Sequence, residues 1–398
     1  GKFKSAVEPF IQKEMSEANR EQVTAYITSL YKFQIKNIAS SRNLQMDSVW
    51  QIAMQSKAQL PKDAKSLGLV DALEYETEAK SIAAKEAKMR PETAHWFDFA
   101  KYAKDADPYA YSENKIAVIY AVGEIMPGKQ NPNEQIGSKT FITQLHKAQK
   151  DESIKAIVIR INSPGGSAFA SDEMAHEIIA CKKVKPVIVS FGDVSASGGY
   201  YMGCVADSIF ALPNTITGSI GVFALLPNTE KLFGNTMGLN YQTVELGELS
   251  AGWRPDRALS PKEQEKMQLM VNSIYDDFIT TVANGRKLTK GRVSELAEGR
   301  VYTAEDALPL GLIDGLGGID RAITSAARKA QIKEYRVVKF PENEDWLSQI
   351  LQADEVSKAK FRALAKTTGI DLKTLQQIDQ IQYLRGPQYL LPWSVKMH

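Results

Sequence analysis

Cysteine and histidine are scarce in this sequence, and their scarcity excludes several kinds of chemistry. Its 398 residues include two cysteines, Cys181 and Cys204, and four histidines. Two cysteines make no disulfide framework, and their spacing is not that of a metal site. We therefore expect catalysis, if there is any, to proceed without a metal or other cofactor. The redox state of the two cysteines is left open.

Long apolar runs and a surplus of one charge are also missing. No stretch reaches the roughly 18 apolar residues of a membrane-spanning helix, and the longest candidate, 116–126, contains Glu124 and is typical of a strand. With 49 Lys and Arg against 47 Asp and Glu, the chain has no basic surplus for phosphates, which predicts no nucleic-acid partner. The chain starts at Gly1 without a signal peptide, so we interpret it as a fragment.

One pattern occurs twice along the chain. Residues 29–44 recur as 273–288, and the block 68–73 recurs as 311–316 at nearly the same offset. Two matched blocks in the same order predict two copies of one unit. In the second copy the helical tail follows a β-rich core, whereas the first copy's core would lie before Gly1. We therefore expect a tandem repeat whose first repeat is truncated.

This organisation predicts a division of the chain into consecutive segments. Residues 1–80 are expected to form the helical tail of the first repeat, 81–113 a linker, 114–340 the complete second repeat, and 341–398 a C-terminal helical extension without an assigned role. Within the second repeat, short runs rich in Val and Ile alternate with stretches that have apolar residues at helical spacing. This alternation predicts an α/β fold with a mostly parallel sheet and flanking helices.

Two loops rich in serine and glycine follow consecutive predicted strands. The first reads Ser-Pro-Gly-Gly at 163–166, and the second reads Ala-Ser-Gly-Gly-Tyr at 196–200. Loops at the carboxyl ends of parallel strands meet at the edge where α/β proteins bind ligands. We expect Gly165 and Gly166 to permit a sharp turn and to offer N–H groups to a substrate oxygen. The N–H groups of Gly166 and Gly198 are expected to form an oxyanion hole beside Ser197. Taken singly, each loop is more typical of a turn or a helix cap than of a catalytic site.

A serine nucleophile needs a base, and no histidine is an obvious candidate. His95 lies in the predicted linker, His146 and His176 lie in predicted helices, and His398 is the last residue. Asp193 lies near Ser197 in sequence, but without a histidine it completes no triad. The sequence therefore favours a Ser–Lys pair.

These loops, together with Thr-Gly-Ser-Ile-Gly at 217–221, resemble the signal-peptide peptidase A (protease IV) family. The first loop and the layout are also similar to the Clp protease subunit and the crotonases, which implies a Clp protease/crotonase-like core. Residues 1–10 resemble the lysine motif of the peptidase family. The resemblance implies Lys4 as the base, Ser197 as the nucleophile and Ser219 as the hydroxyl that holds the lysine amine.

The resemblance also implies a substrate and a setting. The family's long members are serine endopeptidases that degrade cleaved signal peptides and other apolar peptides through an acyl-enzyme. In them the first repeat supplies the lysine, and here Glu248 stands at the position of the second repeat that corresponds to Lys4. Lys2 is the competing lysine. The family implies a homo-oligomer at the periplasmic face of the bacterial inner membrane, held by an N-terminal anchor that this chain lacks.

Two other functions remain open from the sequence. A crotonase-type acyl-CoA enzyme also uses two backbone N–H groups as its oxyanion hole, but it relies on a carboxylate and does not need Ser197. A catalytically inactive membrane scaffold would keep the fold without its chemistry. Labelling of Ser197 by a serine-directed reagent distinguishes the peptidase from both.

Overall fold

A computed structural model describes residues 1–96, 112–131, 134–239, 241–250, 252–341 and 388–390. The contacts divide the chain into two compact units, one formed by residues 1–26 and 113–398 and the other by residues 27–112. The predicted segments had placed all of 1–80 together. The structure groups the first 26 residues with the unit that carries the sheet, and within that unit the Phe3 N–H donates to the Glu298 carbonyl.

Helices lie in both units, and α2 runs from one unit into the other. The unit 27–112 holds α3 (Met46–Met54), α4 (Pro61–Ser66) and α5 (Glu76–Glu86), together with most of α2 (Glu17–Arg42). The sheet-bearing unit holds the start of α2 and the helices α1 (Glu8–Ile11), α6 (Ser138–Lys150), α7 (Ala168–Cys181), α8 (Gly198–Gly203), α9 (Pro261–Arg286), α10 (Lys290–Leu296), α11 (Ala304–Ala307) and α12 (Ile319–Lys329). The start of α9 follows from its sequence, because Ser260 and Glu263 form a capping box around a proline in the first turn.

The strands form two sheets. They are β1 (Lys115–Val122), β2 (Glu124–Met126), β3 (Gln135–Gly137), β4 (Ile154–Ser163), β5 (Gly165–Ser167), β6 (Val187–Ala196), β7 (Ser208–Ala211), β8 (Ile216–Gly218), β9 (Val301–Thr303), β10 (Gly315–Leu316), β11 (Arg336–Phe340) and β12 (Gln388–Leu390). The main sheet has the parallel order β10-β7-β6-β4-β1-β11, with β8 beside the end of β6 and β9 antiparallel to β8. The smaller sheet has the order β12-β5-β2-β3. The predicted α/β fold with a mostly parallel sheet is confirmed.

The main sheet is buried on both faces, as parallel sheets with crossover helices usually are. Alternate residues of each strand point to opposite faces. Ile157 and Ile159 of β4 belong to the larger core, which also takes in residues of α6 and α7. Val158 of the same strand packs in the second core with Ala322 and Ala326 of α12. This double burial explains why the strands are runs of Val and Ile without polar alternation.

The described part of the unit 27–112 is helical and holds no strand. Its small core contains Ile35, Ala39 and Val49, with Tyr31 and Trp50 in an edge-to-face contact at 5.6 Å between ring centroids. No helix in the described ranges is both long and apolar enough to cross a bilayer. Most of the predicted C-terminal helical extension, 341–398, lies outside the described residues. Within it, Gln388–Leu390 is a strand.

The two segments that match in sequence also make matching contacts. Arg42 donates from Nε to the carbonyl of Gly68 at 2.9 Å and pairs with Asp71 at 2.7 Å. At the corresponding positions of the second segment, Arg286 donates from Nε to Gly311 at 3.0 Å and pairs with Asp314 at 2.9 Å. An arginine that ties a helix end to a glycine turn is thus present in both.

Candidate active site

Ser197 lies at a sharp turn between strand β6 and helix α8. Its backbone has φ 55° and ψ −116°, a left-handed conformation that is rare for a residue with a Cβ. Two hydrogen bonds hold the turn: the Ser197 N–H donates to Gly218 O at 2.8 Å, and the Ser197 carbonyl accepts from Tyr201 N at 2.8 Å. Strain of this kind is characteristic of nucleophiles presented at strand-to-helix turns.

The amine of Lys4 lies beside Ser197. Lys4 Nζ is 2.8 Å from Ser197 Oγ, 2.9 Å from Ser219 Oγ and 3.1 Å from the Ser219 carbonyl oxygen. Lys4 is 7 % exposed, and both serines are fully buried. The structure therefore brings together all the residues that the sequence suggested as nucleophile, base and amine-holding hydroxyl, although they are far apart in the chain.

The environment of the Lys4 amine favours its neutral form. Burial lowers the pKa of Lys4 well below its ordinary value, because an ammonium group is poorly stabilised away from water. No carboxylate within the described ranges forms an ion pair with this amine. A neutral amine can accept a proton from a serine hydroxyl, and an ammonium group cannot.

The segment 298–300 connects the Lys4 segment to the loop that holds Ser219. On one side the Phe3 N–H donates to Glu298 O at 2.8 Å, and on the other the Ser219 N–H donates to Arg300 O at 2.7 Å. Between them, a Cβ at Gly299 would lie only 2.6 Å from Lys4 Cβ, so this position requires glycine. No local sequence pattern relates this segment to the base, so the segment was not predicted.

The two glycine loops lie side by side at the end of the sheet. Ser163 and Ser195 are register partners at the ends of β4 and β6. A Cβ at Gly199 would lie 3.0 Å from Ser163 O, so the start of helix α8 rests directly on the first loop. As the first residue of this helix, Gly198 has an N–H without an intrahelical acceptor.

The first loop continues as strand β5, which pairs on both sides. Gly166 is the register partner of Ile125 in β2 and of Tyr389 in the antiparallel strand β12. It has φ 152°, and a Cβ there would lie 2.1 Å from Ile125 O, which explains the glycine. Gly165 has φ 107°, and its N–H donates to Ser163 Oγ at 3.1 Å. The edge that carries the predicted oxyanion glycine therefore accepts an extended peptide segment as a neighbour.

Competing lysines and carboxylates lie elsewhere. Lys2 is exposed, with its amine 5.2 Å from the centre of the Phe3 ring. Glu248, which corresponds to Lys4 in the second segment, is exposed and pairs with Lys262. Asp193 is exposed on strand β6. Of the two lysines near the chain start, only Lys4 has its amine within hydrogen-bond distance of Ser197 Oγ.

Histidines and cysteines of the described residues do not contact the Ser197 hydroxyl. His146 pairs with Glu177 at 2.7 Å, whereas His95 and His176 are exposed, and His398 lies outside the described residues. Burial raises the pKa of Cys181 to about 11 and that of Cys204 to about 12, so both thiols stay protonated near neutral pH. The described residues contain no cluster of His, Cys, Asp and Glu that could hold a metal ion.

The strained backbone of Ser197 predicts a stabilising substitution. The free energy of unfolding of Ser197→Gly should be about 1 kcal/mol higher than that of Ser197→Ala, because both variants lack the hydroxyl and only glycine relieves the strain. Calorimetry should show an apparent melting temperature about 2 to 4 °C higher for the glycine variant. The matched pair at Ser195, in strand β6, should reverse this order, since glycine weakens a regular strand. Equal melting temperatures for the two Ser197 variants would argue against strain.

Comparisons with known proteins agree with this geometry. The chain matches the family described as Peptidase family S49 over residues 1–90 and 179–333, and the Clp protease family over residues 112–217. It is 33 % identical to Protease 4 of Salmonella typhi over 361 residues, covering 89 % of this chain and 58 % of that protein. It is 31 % identical to Protease 4 of Haemophilus influenzae, covering 93 % of this chain and 62 % of the relative.

A further relative has a more specific name. The chain is 33 % identical to a putative signal peptide peptidase SppA of Enterococcus faecium, covering 65 % of this chain and 75 % of that protein. The chain thus spans about three fifths of the length of the two Protease 4 relatives and a larger share of the shorter one.

Proposed function

Because the chain belongs to peptidase family S49, we propose that it is a serine endopeptidase that hydrolyses peptides with a Ser197–Lys4 dyad. The observation that carries this proposal is the position of Lys4 Nζ, 2.8 Å from Ser197 Oγ and 2.9 Å from Ser219 Oγ in a buried site. Such distances are within the reach of about 2.6–3.2 Å that proton transfer requires. The lowered pKa of Lys4 supports its role as a base at moderate pH.

In the first half of the reaction, the neutral Lys4 amine takes the proton of the Ser197 hydroxyl while Oγ attacks the peptide carbonyl carbon. The developing oxyanion is stabilised by backbone N–H groups, for which we propose those of Gly198 and Gly166. Lys4 then gives its proton to the leaving nitrogen, the C–N bond breaks, and an acyl-enzyme remains. In the second half, Lys4 takes a proton from water while the water oxygen attacks the acyl carbon. The bond between that carbon and Ser197 Oγ then breaks, Lys4 returns the proton to Oγ, and the carboxylic acid product leaves.

Ser219 orients the Lys4 amine. Both its hydroxyl and its carbonyl oxygen accept hydrogen bonds from the Lys4 amine, and its own N–H is tied to Arg300. When the two N–H groups of the neutral amine are donated to Ser219, its lone pair is left to accept the proton of the Ser197 hydroxyl. Positioning of this kind lowers the entropic cost of the reaction.

We propose that substrates bind in extended form along strand β5, in the place that Gln388–Leu390 occupies in this structure. The antiparallel pairing of Gln388–Leu390 with Gly165–Ser167 supports this, because it demonstrates that the edge forms a ladder with an added strand. Main-chain pairing recognises a peptide with little dependence on its sequence. The relative named signal peptide peptidase supports apolar segments, such as cleaved signal peptides, as the substrate class.

The wider setting is part of the same proposal. The matching contacts of Arg42 and Arg286 support a tandem repeat of which this chain holds the tail of one copy and the whole of the next. We propose that the whole protein works as a homo-oligomer at the periplasmic face of the bacterial inner membrane. Its anchor would belong to a part of the protein outside this sequence.

Labelling with a fluorophosphonate tests the proposal. The reagent should modify Ser197, located by mass spectrometry of the digested protein, and the rate should rise with pH as Lys4 loses its proton. Ser195→Ala should be labelled like the parent, since the Ser195 hydroxyl has no hydrogen-bond partner among the described residues. Labelling that persists in Ser197→Ala would contradict the proposal.

The same preparation distinguishes the rival functions. The peptidase should cleave a synthetic signal peptide and leave crotonyl-CoA unchanged. Turnover of the acyl-CoA in the Ser197→Ala variant would favour the crotonase-type enzyme. A folded protein that is neither labelled nor active on either substrate would favour the scaffold.

A further inference from the structure

The side chain of Gln22 lies directly against the turn that presents Lys4. Gln22 belongs to helix α2 and is fully buried. Its Nε2 donates to the Phe3 carbonyl at 2.7 Å and lies 3.3 Å from Ser5 Oγ. These are the two neighbours of Lys4 in the chain, so one amide contacts both ends of the segment that carries the base.

The backbone at Lys4 forms a three-residue turn. Lys4 has φ −82° and ψ 77°, and the Ser5 N–H donates to the Phe3 carbonyl at 3.0 Å. These values are those of an inverse γ-turn with Lys4 at its centre. A turn closed by one bent hydrogen bond is weak by itself. The second donor on the Phe3 carbonyl, Gln22 Nε2, reinforces it.

The amide of Gln22 is itself oriented by its surroundings. Nε2 is 3.3 Å from Asn19 Oδ1, and Asn19 Nδ2 donates to Glu8 Oε2 at 2.9 Å. The Phe3 carbonyl can only accept, so the donor end of the Gln22 amide must face it. Gln22 Oε1 has no hydrogen-bond partner among the described residues, and burying it unpaired costs stability. The Gln22 amide is therefore held with its Nε2 group hydrogen-bonded and its Oε1 atom unpaired.

We propose that Gln22 is a positioning residue for the base. By donating to the Phe3 carbonyl, while the Phe3 N–H is bonded to Glu298, it fixes the turn at Phe3–Ser5 and keeps the Lys4 amine within hydrogen-bond distance of Ser197 Oγ. This inference rests on the proposed Ser–Lys mechanism and assigns no contact between Gln22 and the substrate. A displacement of about 1 Å in a catalytic group can lower a rate about a hundredfold.

The test replaces Gln22 with methionine, which keeps the length and loses both donors. We expect kcat for peptide cleavage to fall about tenfold to a hundredfold. KM should stay within about twofold, because strand β5 is untouched and the loss falls on the chemical step. The rate of fluorophosphonate labelling of Ser197 should fall by the same factor as kcat. Gln22→Glu, of the same shape but with an acceptor facing the Phe3 carbonyl, should lose at least as much activity.

The control is Gln264→Met on the protein surface, since Gln264 of helix α9 also donates to a backbone carbonyl, that of Leu259 at 3.1 Å, but lies on an exposed part of its helix. It should keep the kcat of the parent. A folded Gln22→Met protein with unchanged kcat, or with a change confined to KM or to the melting temperature, overturns the inference. If Gln22→Met does not fold, the same comparison of kcat and KM is made with Gln22→Glu, and an unchanged kcat in that variant overturns the inference. Activity in Ser197→Ala and Lys4→Met would instead overturn the proposed function, so the two failures are distinct.

Discussion

Replacing Ser197 by alanine is expected to lower kcat/KM for peptide hydrolysis by about 100,000-fold or more. Loss of a serine nucleophile removes the acyl-enzyme route, and the residual rate reflects only binding and oxyanion stabilisation. The substitution keeps the Cβ and deletes one buried hydroxyl, so the fold should persist. Steady-state cleavage of a fluorogenic peptide, with circular dichroism to verify folding, measures the effect.

Ser195 provides the control for this prediction. It lies two residues away, is equally buried, and has a hydroxyl without a partner among the described residues. Removing an unpaired buried hydroxyl costs little and can stabilise a protein. Ser195→Ala should therefore keep kcat/KM within about threefold of the parent. If Ser195→Ala were the inactive variant and Ser197→Ala the active one, the nucleophile would have to be reassigned.

Replacing Lys4 by methionine should be nearly as damaging as removing Ser197. The nucleophile and base act as a unit, so loss of either removes most of the activity, at least about 1,000-fold. Methionine fills the space of the apolar stem. The loss of the hydrogen bonds to Ser219 costs stability, which the removal of a poorly solvated buried amine partly offsets, and circular dichroism verifies folding. Lys4→Arg should be inactive as well, because a guanidinium group stays protonated. Lys2→Met, at the exposed neighbour, should have the activity of the parent.

The same base sets the pH dependence of the parent. Burial lowers the pKa of Lys4, so the amine is protonated and inactive at low pH and becomes neutral as the pH rises through this lowered value. The logarithm of kcat/KM should therefore rise with pH and level off well below the pKa of about 10.4 of an ordinary lysine. A profile that rises only above that value would mean that the amine is solvated. Full activity in Lys4→Met would mean that the base is another group.

The parts of the site that sequence predicted are those with local signals. Ser197 and Gly198 follow a buried strand and open a helix, so their spacing alone indicates a loop at the sheet edge. Lys4 has no such signal, and its motif was recognised through family resemblance. Its partners Gln22 and Gly299 are defined by contacts between distant parts of the chain. No periodicity or spacing encodes such contacts, and this is why the support of the base emerged only with the structure.

The fold shows the same division. Runs of Val and Ile alternating with helical spacing predicted the parallel sheet and its helices, because double burial dictates that pattern. The boundary between the compact units, after residue 26, was not predicted. It falls within the continuous helix α2, whose sequence shows no break there. The pairing of β12 with β5 was equally hidden, since a short strand at an edge needs no distinctive sequence.

The parts of the site are synthesised at different times, because they are far apart in the chain. Lys4 and Ser197 are separated by 193 residues, and the segment that joins their surroundings, Glu298 to Arg300, comes later still. Chains emerge from the ribosome and fold from the N-terminus onward. Lys4 is thus synthesised first, Ser197 follows, and the segment from Glu298 to Arg300 comes last. The segment that joins the two halves of the proposed dyad is therefore absent until residue 300 has emerged, so we expect the site to assemble late in synthesis.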